Sequence, residues 1–151
     1  MKTKQKWYSD YKVIAESFID FLRSTNEKGV LASAISSLLK DAQVIADIGA
    51  GTGELIGRLA IPKRRIIAIE PCKDYIPHLT KKLSSNGHLV IPHKVEDVSL
   101  LPFSLDAVLF SHSLAYVDDF KDSIHKTFNW LKPGGIGVFI VLSKRGDQIH
   151  I

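Results

Sequence analysis

Asp47-Ile48-Gly49-Ala50-Gly51-Thr52-Gly53 sets one acid ahead of three glycines in G-x-G-x-G spacing. Glycine tolerates positive φ and has no Cβ, so this run lets a ligand lie directly on the backbone. A phosphate site on a helix N-terminus uses G-x-G-x-x-G instead, and Gly57 lies too far along to complete it. Glu54, in the first turn of the helix that follows, would repel a phosphate. The run therefore favours a ligand that lacks phosphate at this point yet needs a close backbone. Glu70 ends an apolar segment further on, where a carboxylate can accept hydrogen bonds from two ribose hydroxyls. Two more segments carry polar side chains after apolar runs: Glu96-Asp97-Val98, ahead of Leu101-Pro102-Phe103 and Asp106, and Ser111-His112-Ser113 with Tyr116. Among these side chains histidine is the type that exchanges protons near neutral pH, which makes His112 the candidate general base.

The elements that must position these residues follow from periodicity. Short, continuous apolar runs at Val44 to Ile48, Ile66 to Ile69, Leu89 to Ile91, Ala107 to Phe110 and Ile136 to Leu142 suit strands buried on both faces. Between them lie expected helices over Glu54 to Ala60, Lys73 to Ser84 (closed by Asn86-Gly87) and Asp119 to Leu131 (stopped by Pro133-Gly134-Gly135). Tyr8, Tyr11, Ala15, Phe18, Ile19 and Leu22 recur at helical spacing, and after a break at Asn26 to Gly29 a second helix carries Val30, Leu31, Ala34, Ile35, Leu38 and Leu39. Strands alternating with helices imply βαβ units, right-handed crossovers and a parallel sheet with helices on both faces. A ligand then sits beyond the carboxyl ends of the strands at the topological switch point, and every motif above falls at such an end.

Together, these motifs resemble the class I, Rossmann-like methyltransferases that use S-adenosylmethionine. The resemblance runs from Val44 to Leu142. It implies a doubly wound, mainly parallel α/β sheet of order 3-2-1-4-5. It also implies that Asp47, Gly49, Ala50, Gly51, Thr52 and Gly53 hold the cofactor's amino-acid and ribose parts. Glu70 would bind the ribose hydroxyls, with Pro71 in the small turn after it and Tyr75 against adenine. Glu96 and Asp97 would lie near the adenine amino group, and Val98 would offer a backbone N–H to a ring nitrogen. Ser111 would face the cofactor, and His112 and Tyr116 would face the methyl group and its acceptor. The bland alternatives remain: a strand-end charge for Glu70, a loop charge or helix cap for Asp97, polar packing for His112.

The rest of the chain bounds the function. Its 151 residues suffice for one domain, with residues 1–40 as N-terminal helices covering the cofactor and 41–151 as the core. Tyr8 and Tyr11 are candidates for that lid. The net charge of +4 is scattered, its densest run being Lys63, Arg64 and Arg65, which reads as a solvated face, so nucleic acid is not indicated as a partner. The loop after the fourth strand also lacks the Asn/Asp-Pro-Pro-aromatic sequence of enzymes that methylate base amino groups. Cys72 is the only cysteine, which fits a reducing compartment, and neither a signal peptide nor a membrane-spanning run is recognisable; a cytoplasmic location is expected. His78, His88, His93 and His125 show no ligand spacing, so no metal is expected. Little chain follows Ser143, so the family's C-terminal antiparallel hairpin is expected to be missing. The apolar fifth strand would then be an open edge, to be covered by missing chain or in a homodimer. The expected activity is methyl transfer to a small molecule. The alternatives are a non-catalytic methyltransferase-like module and, less favoured by the glycine spacing and Glu54, an NAD-dependent dehydrogenase.

Overall fold

The computed structural model describes residues 11–84, 87–143 and 146–151. Two helices, α1 (Tyr11–Ser24) and α2 (Glu27–Ser36), precede β1 (Val44–Ile48), α3 (Glu54–Leu59), β2 (Arg65–Ile69), α4 (Ile76–Lys82) and β3 (Leu89–Ile91). Then come β4 (Leu105–Ser111), α5 (Phe120–Phe128), β5 (Leu131–Ser143) and β6 (Gly146–His150), with short 3-10 turns at Val95–Asp97 and Leu114–Tyr116. The sheet order is β3-β2-β1-β4-β5-β6. The first five strands are parallel in the expected order 3-2-1-4-5.

Side-chain parity divides the core. Ile45, Ile66, Ala68, Ala107, Leu109, Val138 and Ile140 face one side, where Leu31 and Ile35 of α2, Leu55, Ile56 and Leu59 of α3, and Leu79 of α4 cover them. Ala46, Ile48, Ile67, Ile69, Val108 and Phe110 face the other side, against Val95, Val98, Trp130 and Leu131. Full burial of one such Ile or Leu contributes about 1.5–3 kcal/mol, so a sheet covered on both faces explains the continuous apolar runs. The same parity decides where the acids point. Asp47 follows Ile45 by two, and Glu70 follows Ala68 by two, so both carboxylates face the α2–α3 side.

Several expectations need correction. β6 pairs antiparallel with β5 from Phe139↔His150 to Ser143↔Gly146, so an antiparallel return is present and the edge of β5 is covered within the chain. With β6 on that edge, β5 offers no open edge for a homodimer to cover. The fifth helix ends at Phe128 rather than Leu131. Pro133-Gly134-Gly135 lies inside β5, where pairing with β4 jumps from Leu105↔Leu131 to Ala107↔Ile136 and Gly134 takes φ 81°. The segment is thus a bulge, which re-registers the strand and does not separate a helix from it. α4 starts at Ile76 rather than Lys73, with a proline inside its first turn. Tyr8, the side chain of Tyr11 and Asn86 lie outside the described residues.

Arg64 corrects the reading of the basic run. Its side chain is buried, with Nε donating to Ala42 O at 2.8 Å, Nη1 to Leu59 O at 2.8 Å and Nη2 to Leu39 O. The guanidinium thereby ties the end of α3 to the chain entering β1, and burial pulls its pKa down. Arg64→Ala is expected to cost about 2 kcal/mol, since three carbonyls lose charged donors, and Arg64→Lys recovers only part because it lacks the planar fork. In thermal unfolding this reads as a fall of about 5 °C in Tm for Arg64→Ala. At the same end of the sheet, Asp106 Oδ2 accepts from the N–H groups of Gln43 (2.9 Å) and Val44 (2.8 Å), and Oδ1 meets Lys132 Nζ at 2.7 Å. These bonds hold its carboxyl below the usual range despite burial.

Candidate active site

A cleft of about 470 Å³ opens at the carboxyl ends of β1, β2 and β4, where the strand order reverses. Its floor is the turn after β1. Gly49, Gly51 and Gly53 take φ of 72°, 57° and 80°, a region that L side chains rarely adopt. Gly49 also has no room for a side chain, since a Cβ there would lie 2.4 Å from Ser113 Cβ. The turn is fixed by Gly49 N–H donating to Ile69 O at 2.8 Å and Gly53 N–H to Ala50 O at 3.0 Å. Glu54 lines the cleft and pairs with Lys82 Nζ of α4.

Asp47 and Glu70 stand at the back of the cleft. Asp47 is 2% exposed, and its Oδ1 has no hydrogen-bond partner among the described residues. Burial first, then the nearby charge of Glu70, push its pKa up to about 7, while Lys28 acts in the opposite direction. Glu70 is 5% exposed. Its Oε2 accepts from Gly51 N–H at 2.8 Å and its Oε1 from Cys72 N–H at 2.7 Å. Burial raises the Glu70 pKa, and those two N–H bonds offset part of the rise.

Asp47, Gly49, Ala50, Gly51, Thr52, Glu70, Pro71, Tyr75, Glu96, Ser111, His112 and Tyr116 all line this cleft. Gly53 lies just behind the floor, against Leu79. Asp97 and Val98 do not line the cleft. Asp97 is exposed, Val98 is buried in the opposite core, and the Val98 N–H donates to Val95 O at 3.2 Å. The 3-10 turn shifts the phase by one residue, so Val95 and Glu96 face the cleft instead. Glu96 Oε1 also accepts from Asp118 N–H at 2.6 Å, which ties this wall to the chain after Tyr116.

The walls that periodicity did not assign to the site come from α1 and α2. Phe18 and Leu22 line the cleft, and the Phe18 ring lies 5.8 Å from that of Tyr75. Glu27 and Lys28 start α2, inside the stretch read as a break. Glu27 Oε1 lies 3.1 Å from His112 Nε2 and 3.1 Å from Lys28 Nζ. Burial would raise the Glu27 pKa, but Lys28 and His112 together hold it down. His112 sits at φ 57°, a costly conformation for a non-glycine residue, and its N–H donates to Ile140 O at 2.8 Å. A Thr25-Asn26-Glu27 start signal was present in the sequence, but the contact between Glu27 and His112 is non-local and leaves no local trace.

The fold and this cleft define the Rossmann-like methyltransferase class. A Thermotoga maritima protein described as an S-adenosylmethionine-dependent methyltransferase, possible histamine N-methyltransferase, matches with TM-score 0.73 and 22% identity over 91% of this chain and 62% of that one. The plantazolicin methyltransferase BpumL, solved with a pentazolic desmethylPZN analogue and S-adenosylhomocysteine, matches with TM-score 0.75 and 17% identity over 93% of this chain and 57% of its own. The [4+2]-cyclase SpnF matches with TM-score 0.66 and 19% identity over 74% of this chain and 43% of that one. The chain thus spans about three fifths or less of these structures. No curated protein matches the sequence. The methyltransferase domain family model matches residues 46–139, and the chain belongs to that family.

Proposed function

We propose that the chain binds S-adenosylmethionine in this cleft and transfers its methyl group to a small-molecule acceptor. One observation carries the reading. Asp47 Oδ1, Thr52 Oγ1, Ser111 Oγ and Ser113 Oγ are buried without a hydrogen-bond partner among the described residues, and all four residues line the same cleft. Buried polar atoms are ordinarily paired, so a cleft that gathers such atoms suits a ligand rich in donors and acceptors. A nucleoside with an amino-acid tail has that chemistry, and the glycine floor leaves room for it.

In this reading Asp47 holds the ammonium group and Glu70 accepts from the ribose hydroxyls. Tyr75, Phe18 and Val95 flank the adenine, with Glu96 beside it. Bound there, the cofactor supplies a methyl group already activated by its sulfonium. The protein aligns the acceptor and excludes water. His112, its ring oriented by Glu27, takes the proton from an acceptor whose nucleophilic atom carries one. Tyr116, 70% exposed at the rim, orients the acceptor. Within a single domain, α1 and α2 form the cover of the cleft, and a reducing, cytoplasmic setting accords with the single cysteine. No described helix is long and apolar enough to cross a membrane.

A second reading, a module that binds the cofactor without methyl transfer, is favoured by one finding: the [4+2]-cyclase SpnF shares the fold, so the fold alone does not fix the reaction. Calorimetric titration with S-adenosylmethionine, S-adenosylhomocysteine and NAD tests the site. Micromolar binding of the first two and none of NAD is expected. Binding of NAD alone would overturn the reading. Label transfer from methyl-labelled S-adenosylmethionine to a panel of small O, N and C nucleophiles then separates enzyme from binding module.

A further inference from the structure

The back of the cleft holds a cation that none of the glycine and strand-end motifs supplies. Lys28 lines the cleft, and its side chain is only 11% exposed. It lines the same cleft as Asp47 from the α2 side, the face to which strand parity directs Asp47 and Glu70, and its charge weakly favours the ionised Asp47 carboxyl. The other lysines on the wall differ. Lys73 is exposed, and Lys94 pairs with Asp118 at 3.0 Å beside the 3-10 turn. An ammonium group has three donors, and Lys28 directs one at Glu27. Burying a lysine this far is costly unless opposite charge meets it. Glu27 is shared with His112, so the neutralisation of Lys28 is divided. Asp47 and Lys28 thus set a carboxylate with an unpartnered oxygen and a cation with spare donors at one end of one cleft. An α-amino acid zwitterion has the complementary arrangement.

We infer that Lys28 receives the carboxylate of the bound cofactor's amino-acid end, so that Asp47 and Lys28 together select ligands with an intact α-amino acid. This rests on the reading of the cleft as an S-adenosylmethionine site. Lys28 is then a specificity residue contributed by the N-terminal helices, and those helices take part in ligand selection as well as cover.

Wild type, Lys28→Met and Lys28→Arg can be titrated by calorimetry with S-adenosylhomocysteine, decarboxylated S-adenosylmethionine and 5′-methylthioadenosine, with Tm measured on each. Lys28→Met is expected to weaken S-adenosylhomocysteine about 10- to 100-fold, the loss of one charge-assisted contact. The two ligands without a carboxylate should change by no more than about twofold, and Lys28→Arg should keep most of the affinity. Unchanged S-adenosylhomocysteine binding in Lys28→Met would overturn the inference and leave the cofactor site standing. An equal loss for all three ligands with a lower Tm would also overturn it, since that is the signature of packing. Wild type binding none of the three would overturn the cofactor reading itself and this inference with it.

Discussion

Asp47→Asn is expected to stabilise the unliganded protein above pH 7 while weakening its hold on S-adenosylhomocysteine. Asp47 is buried, faces the charge of Glu70, and has its pKa pushed from 3.8 up to about 7, with Lys28 acting in the opposite direction. Below pH 3.8 the folded and unfolded chains both hold the proton. Between 3.8 and about 7 only the folded chain holds it, so stability falls as pH rises through that window. Above pH 7 both are ionised, and the buried charge costs the fold roughly 4 kcal/mol. Asparagine removes that charge but leaves an amide to satisfy, which returns part of the gain. A rise of about 5–10 °C in Tm at pH 8 should follow, shrinking towards pH 5. Glu70, whose pKa is raised in the same direction, contributes to the pH dependence that remains in Asp47→Asn with the same sign. The ligand's ammonium favours the ionised carboxylate, so wild-type affinity should drop about tenfold per pH unit below 7, with proton release on binding. Equal Tm values for variant and wild type at pH 8 would mean that the carboxylate is not held at this cost. Sites of this kind keep a destabilising charge because the ligand uses it.

The parts of this site that were legible in the sequence are those carried by local pattern. Continuous apolar runs marked the parallel strands because the sheet is covered on both faces. The acids after those runs, Asp47 and Glu70, fell at strand ends and on one face because strand parity leaves no other choice. What was not legible depends on contacts between distant segments. Arg64 looks like one of three exposed basic residues, and only the convergence of Leu39, Ala42 and Leu59 carbonyls makes it a buried tie. Glu27 and Lys28 lie in a short polar stretch, while His112, which Glu27 meets, and Asp47, which shares the cleft with Lys28, come from the ends of strands far along the chain. Asp97 was displaced by the phase of a single 3-10 turn, which presents Val95 and Glu96. β6 was missed because it is short, contains Gly146, Asp147 and Gln148, and pairs through backbone rather than through an apolar pattern.

Glu70→Ala is expected to lose about 1,000-fold in affinity for S-adenosylhomocysteine, roughly 4 kcal/mol, the largest binding effect among these variants. The carboxylate joins two parts of the site. It accepts from Gly51 N–H in the floor and from Cys72 N–H in the loop after β2, and it lines the cleft where the ribose is placed. Alanine removes the acceptor for the ribose hydroxyls and leaves both backbone N–H groups to find new partners. Glu70→Gln keeps an acceptor oxygen for one of them but no charge, so a smaller loss of about 30-fold is expected. Calorimetry on the pair separates charge from geometry. Affinity of Glu70→Ala within about twofold of wild type would place the ribose elsewhere. The same variant also reads the coupling between the two acids. Glu70 raises the Asp47 pKa, so its removal should move the pH midpoint of Asp47 below 7. That shift should appear in the pH profile of Tm, and a midpoint left at 7 would mean that burial alone sets it.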